Sequence, residues 1–458
     1  MYDNENVTHA QALALINGEW DREVVPRLPP NVAEMAAVLG AFERSRKIRS
    51  CTDLLRGLLA YVSGKESLQA TGAWAVLIKL ADVSASDWCK RLCQARRWLE
   101  WLMTELIGSP ASGKQTEGSH GYRVWLVDAT HVGQEGGSGD DWRLHICYDW
   151  LAGKLVSLKV TDVQGAEGFW HMPDAPQTIR VADRAYGYRD ELFSSSDHNQ
   201  QVVVRICPRT FPCLNADGMP FDIAGWLRED GGSKRSRWVT ITSKPRRGET
   251  SRLIRVRLVA QRISGAAQQR ELEAAKRRAS KHGHALSEAT EQETEWILIA
   301  TTLPERWSDE EVLLLYRARW FIERLFKLMK SLAHLARLPT RTPESSEAYL
   351  SAWFVLWLLQ EEVQQELRQN FAELEDQDLW QEEEKPLSRW TMTALTLSLL
   401  YQQIRGVWTR KFWEECLGQL RRFCCPSCRH RTHWETFLRR RLTQGFGGIP
   451  AGGGGMVT

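Results

Sequence analysis

The sequence predicts an α/β fold: a mixed-sheet core, interrupted by a β-rich insertion and flanked by helical N- and C-terminal regions. Three observations lead there. Leucines recur at helical spacing in residues 1–108 and again from Glu344 onward. Between these segments, short β-branched runs alternate with Gly- and Pro-bearing turns. Two of those runs lead into an aspartate, at the position where open α/β sheets present ligand-binding groups.

The helical N-terminal region spans residues 1–108. Leu54, Leu55, Leu58, Leu59 and Val62 follow a basic lead-in of Arg44, Arg46, Lys47 and Arg49. A second helix is predicted over 67–80, and Ser84 is a candidate N-cap for a third over 87–106. With Lys90, Arg91, Arg96 and Arg97 on the last, these helices suit a helix-turn-helix-like DNA-binding domain, and equally a bundle with a solvated basic face. Residues 109–121, rich in Gly and Ser, read as a linker.

Strands are expected over Val124–Val127, Leu144–Tyr148, Leu155–Val160, Ile179–Ala182 and Val202–Ile206. Three that can meander, then a crossover with room for one small helix and a further strand, give the first part of the core, 122–208. Residues 209–300 form the β-rich insertion, in which 265–284 reads as a helix or an arm. A further strand is expected over 296–303, across the end of the insertion, and one long helix over 308–332 lies in the second core part, 301–345. The region 346–445 is helical and a candidate dimerisation region, and the Gly-rich 446–458 reads as a disordered tail.

The chain has 458 residues, 43% hydrophobic and 26% charged, which is globular composition long enough for several domains. Its 60 Lys and Arg nearly balance 57 Asp and Glu, a net +3 that excludes a polycationic coat. The balance is a cancellation. Residues 226–285 hold 16 Lys and Arg against 5 acids, net +11, while 361–384 holds ten acids against Arg368 alone, net −9. The acidic start is unlike a secretory leader, and the apolar run Leu350–Leu359 is too short to span a bilayer, so no membrane association is expected. Ten scattered cysteines read as reduced thiols of a cytoplasmic protein.

Asp128 and Asp183 each follow a strand, where a desolvated carboxylate is costly unless a partner or a cation compensates. A lone Asp there also serves as a turn or helix cap. In the helix over 308–332, Tyr316, Arg319, Glu323 and Lys330 fall within about 60° of one another at about 100° per residue, opposite Leu314, Phe321, Ile322, Leu325, Leu328 and Met329. Such a stripe is either a functional face or a solvated one bearing an i, i+4 ion pair.

These residues carry a resemblance. Asp128 in Val-Asp-Ala-Thr, Asp183 in Ala-Asp-Arg-Ala-Tyr, and the Tyr-x2-Arg-x3-Glu-x6-Lys pattern of Tyr316, Arg319, Glu323 and Lys330 resemble the DDE transposases of bacterial insertion sequences. Within these the chain is similar to the insertion-sequence-four type, which shares its YREK signature with the Tn-five transposase. Ala129 stands where the family more often has Gly. The resemblance covers roughly residues 45–345.

It implies an RNase H-like core in which Asp128, Asp183 and Glu323 are catalytic and hold two Mg²⁺ ions, with Mn²⁺ as a substitute; hard oxygen donors suit both. It also implies DNA contacts by Tyr316, Arg319, Lys330, Arg205 and Trp296, the last stacking on a flipped base. The implied activity is cut-and-paste transposition by nicking, 3′-OH attack through a hairpin intermediate, and strand transfer. The implied partners are double-stranded DNA (terminal inverted repeats and target) and a second protomer in a synaptic complex, in a bacterial cytoplasm at the nucleoid. Two other classes fit the same residues: an RNase H-like nuclease or resolvase that never joins ends, and a non-catalytic DNA-binding descendant. Cys425, Cys428, His430 and His433 have part of a zinc-knuckle spacing, but the family pattern calls for no zinc there.

Overall fold

The structure, a computed structural model, describes residue 14 and residues 17–64, 66–108, 121–229, 232–244, 250–281, 283, 285–286, 291, 293–376 and 388–406. The expected linker (save Gly121), the Cys425/Cys428/His430/His433 cluster, the glycine tail and the end of the acidic stretch lie outside the described residues.

Helices α1 (Val32–Val38), α2 (Cys51–Ser63), α3 (Leu68–Leu77), α4 (Ala85–Gln94) and α5 (Arg96–Ile107) come first. Ser50, Ser67 and Ser84 start α2, α3 and α4 by accepting hydrogen bonds from the amides of Asp53, Ala70 and Asp87. The single helix expected over 87–106 is thus two, divided at Ala95.

Strands β1 (Arg123–Gln134), β2 (Trp142–Asp149) and β3 (Lys154–Asp162) form an antiparallel meander. After a single 3₁₀ turn at Phe169–His171, β4 (Thr178–Ala182) pairs parallel with β1. Helix α6 (Arg189–Asp197) leads to β5 (Gln201–Arg205), parallel to β4. The next residues supply α7 (Ile223–Arg228), the hairpin β6 (Lys234–Thr242) and β7 (Leu253–Arg262), α8 (Gly265–Lys281) and β8 (Trp296–Thr301). Then follow α9 (Asp309–Ala318), α10 (Trp320–Ser331), β9 (Arg337–Leu338), α11 (Pro343–Asp376) and α12 (Arg389–Arg405).

The strands make one nine-stranded mixed sheet in the order β3-β2-β1-β4-β5-β8-β7-β6, with β9 pairing β1 off this path. The insertion's strands therefore extend the core sheet: β8 runs antiparallel to β5, and β7 and β6 continue outward. Both faces are covered. Val124 and Leu126 of β1 point into a core shared with the helices, while Trp125 and Val127 point into a second core with Phe169, Tyr186 and Trp226.

The terminal helices close on each other around that first core. Arg56 of α2 donates from Nε to the Ile404 carbonyl of α12 at 2.7 Å, and Arg27 donates two hydrogen bonds to Glu366 of α11. Glu361, the first residue of the acidic stretch, is buried. It accepts from Trp357 Nε1 at 3.0 Å and from the Leu155 amide of β3 at 3.3 Å. Among the described residues no helix is long and apolar enough to cross a membrane, and the six described cysteines are unpaired.

Candidate active site

Strand register brings the two aspartates together. The parallel β1/β4 ladder ends at Val127 opposite Ala182, so the next residue on each strand, Asp128 and Asp183, falls at the same level. By alternation both lie on the face of Val124, Leu126, Ile179 and Val181, the face that α9 and α10 cover. The sequence places a strand end at Val127, yet β1 runs on to Gln134, because β2 keeps pairing with it as far as Val132 opposite Trp142. Only the β4 side ends at Asp128. Asp183 caps the turn that follows it, accepting from the Ala185 amide at 2.7 Å, and Asp128 accepts from the Ala129 amide at 2.8 Å.

A third carboxylate joins them. Oxygens of Asp128, Asp183 and Glu167 all lie within 4.8 Å of one another. Glu167 comes from the loop after β3, within the crossover that the sequence predicts; its one sequence signal is an acid between Ala166 and Gly168. Burial pushes the Asp128 carboxyl up to about 7, against the Arg319 charge and with the help of Asp183 and Glu167. Burial also raises Glu167, opposed by Arg143. Crowded, partly desolvated carboxylates favour either a shared proton or a hard cation, and an all-oxygen donor set suits a divalent one.

Glu323 approaches from the other side. The long helix expected over 308–332 is divided at Arg319 into α9 and α10, with three-residue backbone hydrogen bonds from Arg319 N to Tyr316 O and from Ile322 N to Arg319 O. A capping box of Ser308 and Glu311 starts α9. Phe321, Ile322, Leu325, Leu328 and Met329 are buried as the stripe requires, and Leu314 is partly buried. The Arg319 guanidinium stands between the acids, Nη2 at 2.6 Å from Glu323 Oε1 and Nη1 at 3.5 Å from Asp128 Oδ2.

The chain matches the family model described as "Transposase DDE domain" over residues 119–359. It is 33% identical over 331 residues to InsL of insertion sequence element IS186A from Escherichia coli (strain K12), a match covering 71% of this chain and 88% of the relative. It is also 33% identical over 332 residues to the transposase for insertion sequence element IS421 of Escherichia coli, with the same coverage.

The chain belongs to the DDE transposase family.

The other expected site residues of the DDE transposase divide in two. Tyr316 is partly buried, with the Arg319 guanidinium 5.7 Å from its ring centre, and Lys330 is half-buried, its ammonium lowered by that burial. Arg205 ends β5 and is gripped by Glu271 of α8 at 3.1 and 2.9 Å. Trp296 opens β8 and is buried, with the guanidinium groups of Arg235 and Arg262 at 5.3 and 5.8 Å from its ring centre. Arg205, Trp296, Arg184 and α8 line one cavity of about 630 Å³. Helix α8 thus holds Arg205 directly and faces Trp296 across this cavity.

Proposed function

We propose that this DDE transposase carries out cut-and-paste transposition: it cleaves phosphodiester bonds at the terminal inverted repeats of an insertion sequence and joins the freed 3′ ends to target DNA. The register that sets Asp128 beside Asp183, with further carboxylates in reach, is the observation that carries this reading. Asp128, Asp183 and Glu323 are its catalytic carboxylates, and Mg²⁺, with Mn²⁺ as a substitute, is its cation. A pair of such ions supplies activation of the attacking oxygen and stabilisation of the leaving one.

The chain's own part is to orient and neutralise. Arg319 and Lys330 offer positive charge to phosphates beside the scissile bond, Tyr316 flanks them, and Arg205 and Trp296 hold the transposon end. In cleavage, a water oxygen bonds to phosphorus as the bond to the 3′ oxygen breaks, leaving a 3′-OH and a 5′-phosphate. In joining, that 3′ oxygen bonds to a target phosphorus while the target's own 3′ oxygen leaves. One phosphodiester replaces another, so no nucleotide cofactor is required. Two protomers pair the ends in a synaptic complex at the bacterial nucleoid.

The test uses the full-length protein, labelled DNA carrying the inverted repeats that flank its coding region, a target plasmid, and Mg²⁺ or Mn²⁺. Joined products support the proposal. Cutting without joining favours a nuclease or resolvase, and binding alone favours a non-catalytic descendant.

A further inference from the structure

The carboxylate nearest the two aspartates is not the one that the family resemblance supplies. We infer that Glu167 is the third carboxylate of the divalent-cation site in the DNA-free transposase, and that Glu323 joins the site only after Arg319 releases it to DNA. This rests on the proposed reading of Asp128 and Asp183 as metal ligands.

Reach separates the two glutamates. Glu167 offers an oxygen within 4.8 Å of both aspartates, whereas Glu323 is outside that group and is held across a guanidinium from Asp128. Its side chain keeps 45% of its surface in solvent, against 23% for Glu167.

Glu167 is also preorganised, and a ligand fixed before the cation arrives loses little freedom on binding. The loop of Glu167 is fixed on both sides. On one side Arg143 donates to the Gly165 carbonyl at 2.5 Å and stands 3.9 Å from the Glu167 carboxylate. On the other, the Phe169 amide donates to Glu191 Oε2 at 2.8 Å. The Phe169 ring stacks on Tyr186 at 5.3 Å and 25°, and Tyr186 lies in the turn that Asp183 caps. The two metal-facing loops are therefore clamped to each other.

Arg319 is placed to make the exchange. Arg319 pairs with acids through Nη1 and Nη2, and its Nε is buried without a hydrogen-bond partner. A DNA phosphate offers the planar fork of that guanidinium two anionic oxygens at once. Once Arg319 turns to the phosphate, Asp128 loses its counter-charge and Glu323 loses its tether. A cation between them then replaces the neutralisation that the arginine gave. Binding of the substrate would thus complete the site that cuts it.

The experiment titrates Mn²⁺ into the full-length, DNA-free protein by calorimetry, with the Mn²⁺-induced shift in melting temperature as a second readout. Wild type should bind, Glu167→Gln should lose on the order of tenfold in affinity, and Glu323→Gln should stay within about twofold of wild type. With inverted-repeat DNA present, Glu323→Gln should become the weaker binder. If Glu167→Gln folds poorly, Glu167→Asp keeps the charge facing Arg143 while withdrawing the oxygen, and should also lose affinity. The inference is overturned if DNA-free wild type binds no Mn²⁺, if Glu323→Gln loses affinity and the Glu167 variants do not, or if neither does. Asp128→Asn separates the two levels: undiminished Mn²⁺ binding by that variant sinks the underlying reading of the site.

Discussion

Arg205 and Glu271 hold each other at two points, Nη1 to Oε1 at 3.1 Å and Nη2 to Oε2 at 2.9 Å, across the gap between β5 and α8. A phosphate that takes Arg205 must displace this carboxylate. Glu271→Gln is therefore expected to tighten binding of inverted-repeat DNA by roughly fivefold, about 1 kcal/mol, while Arg205→Ala weakens it. Fluorescence anisotropy at two salt concentrations measures both, and weaker binding by Glu271→Gln would mean that α8 itself contacts DNA. Arg205, aided by Arg184 and Arg319, holds the Glu271 carboxyl below its ordinary value of 4.5. The pair's contribution to stability is therefore present above that value and fades as pH falls through the lower one.

Asp128→Asn, Asp183→Asn and Glu323→Gln should each lower metal-dependent cleavage by at least about 10²-fold without weakening binding of end DNA, and Glu323→Gln, which frees Arg319, should bind it more tightly. Single-turnover cleavage on labelled ends, beside a gel shift, reads both quantities. A variant that cuts at the normal rate removes its residue from the catalytic set.

The metal-free protein should lose stability as pH rises through neutrality. The Asp128 carboxyl titrates near 7 in the fold against an ordinary value of 3.8, with burial as the main cause and Asp183 and Glu167 adding to it. Between those values the folded chain keeps a proton that the unfolded chain has given up. The stabilisation is complete below the lower value and is lost as pH passes the upper one. Melting in EDTA from about pH 5.5 to about pH 8 should show the decline, Asp128→Asn should flatten it, and Mg²⁺ should reverse it at the alkaline end by replacing the proton.

In the N-terminal helices the expectation concerns packing. A Cβ on Gly57 would stand 2.1 Å from Cη2 of Trp88, a fully buried ring of α4 lying against α2. Gly57→Ala should destabilise the protein by about 1–3 kcal/mol, read as a lower denaturation midpoint. Pairing it with Trp88→Phe, which shortens the ring, should recover part of the loss. No recovery would place the strain elsewhere.

What the sequence made legible follows from the range of each interaction. Periods of 2 and 3.6 are local, so the strand cores around Leu126, Ile146, Val181 and Val203, and the buried face of α10, could be read directly. Asp183 was legible because its strand stops there. The length of β1 was not, since β2 decides it from across a turn. Nor was the break at Arg319, because the stripe of Tyr316, Arg319 and Glu323 survives a tightened turn almost unchanged. Glu167 escaped for a related reason: its loop has no period, and Arg143, Glu191 and Tyr186, which fix it, are brought together only by the sheet. The partner of Arg205 was equally hidden, on a helix whose docking against β5 no local pattern encodes.

The pairing of Val127 with Ala182 also sets where this gene can tolerate change in length. Side chains alternate along a strand, so a single-codon insertion within 124–127 or 179–182 would turn one acid to the far side of the sheet. The reading frame would survive while the chemistry was lost. A three-base duplication there would be nearly as inactivating as a stop codon, whereas the same duplication in the turn at 135–140, between β1 and β2, would leave both acids in step.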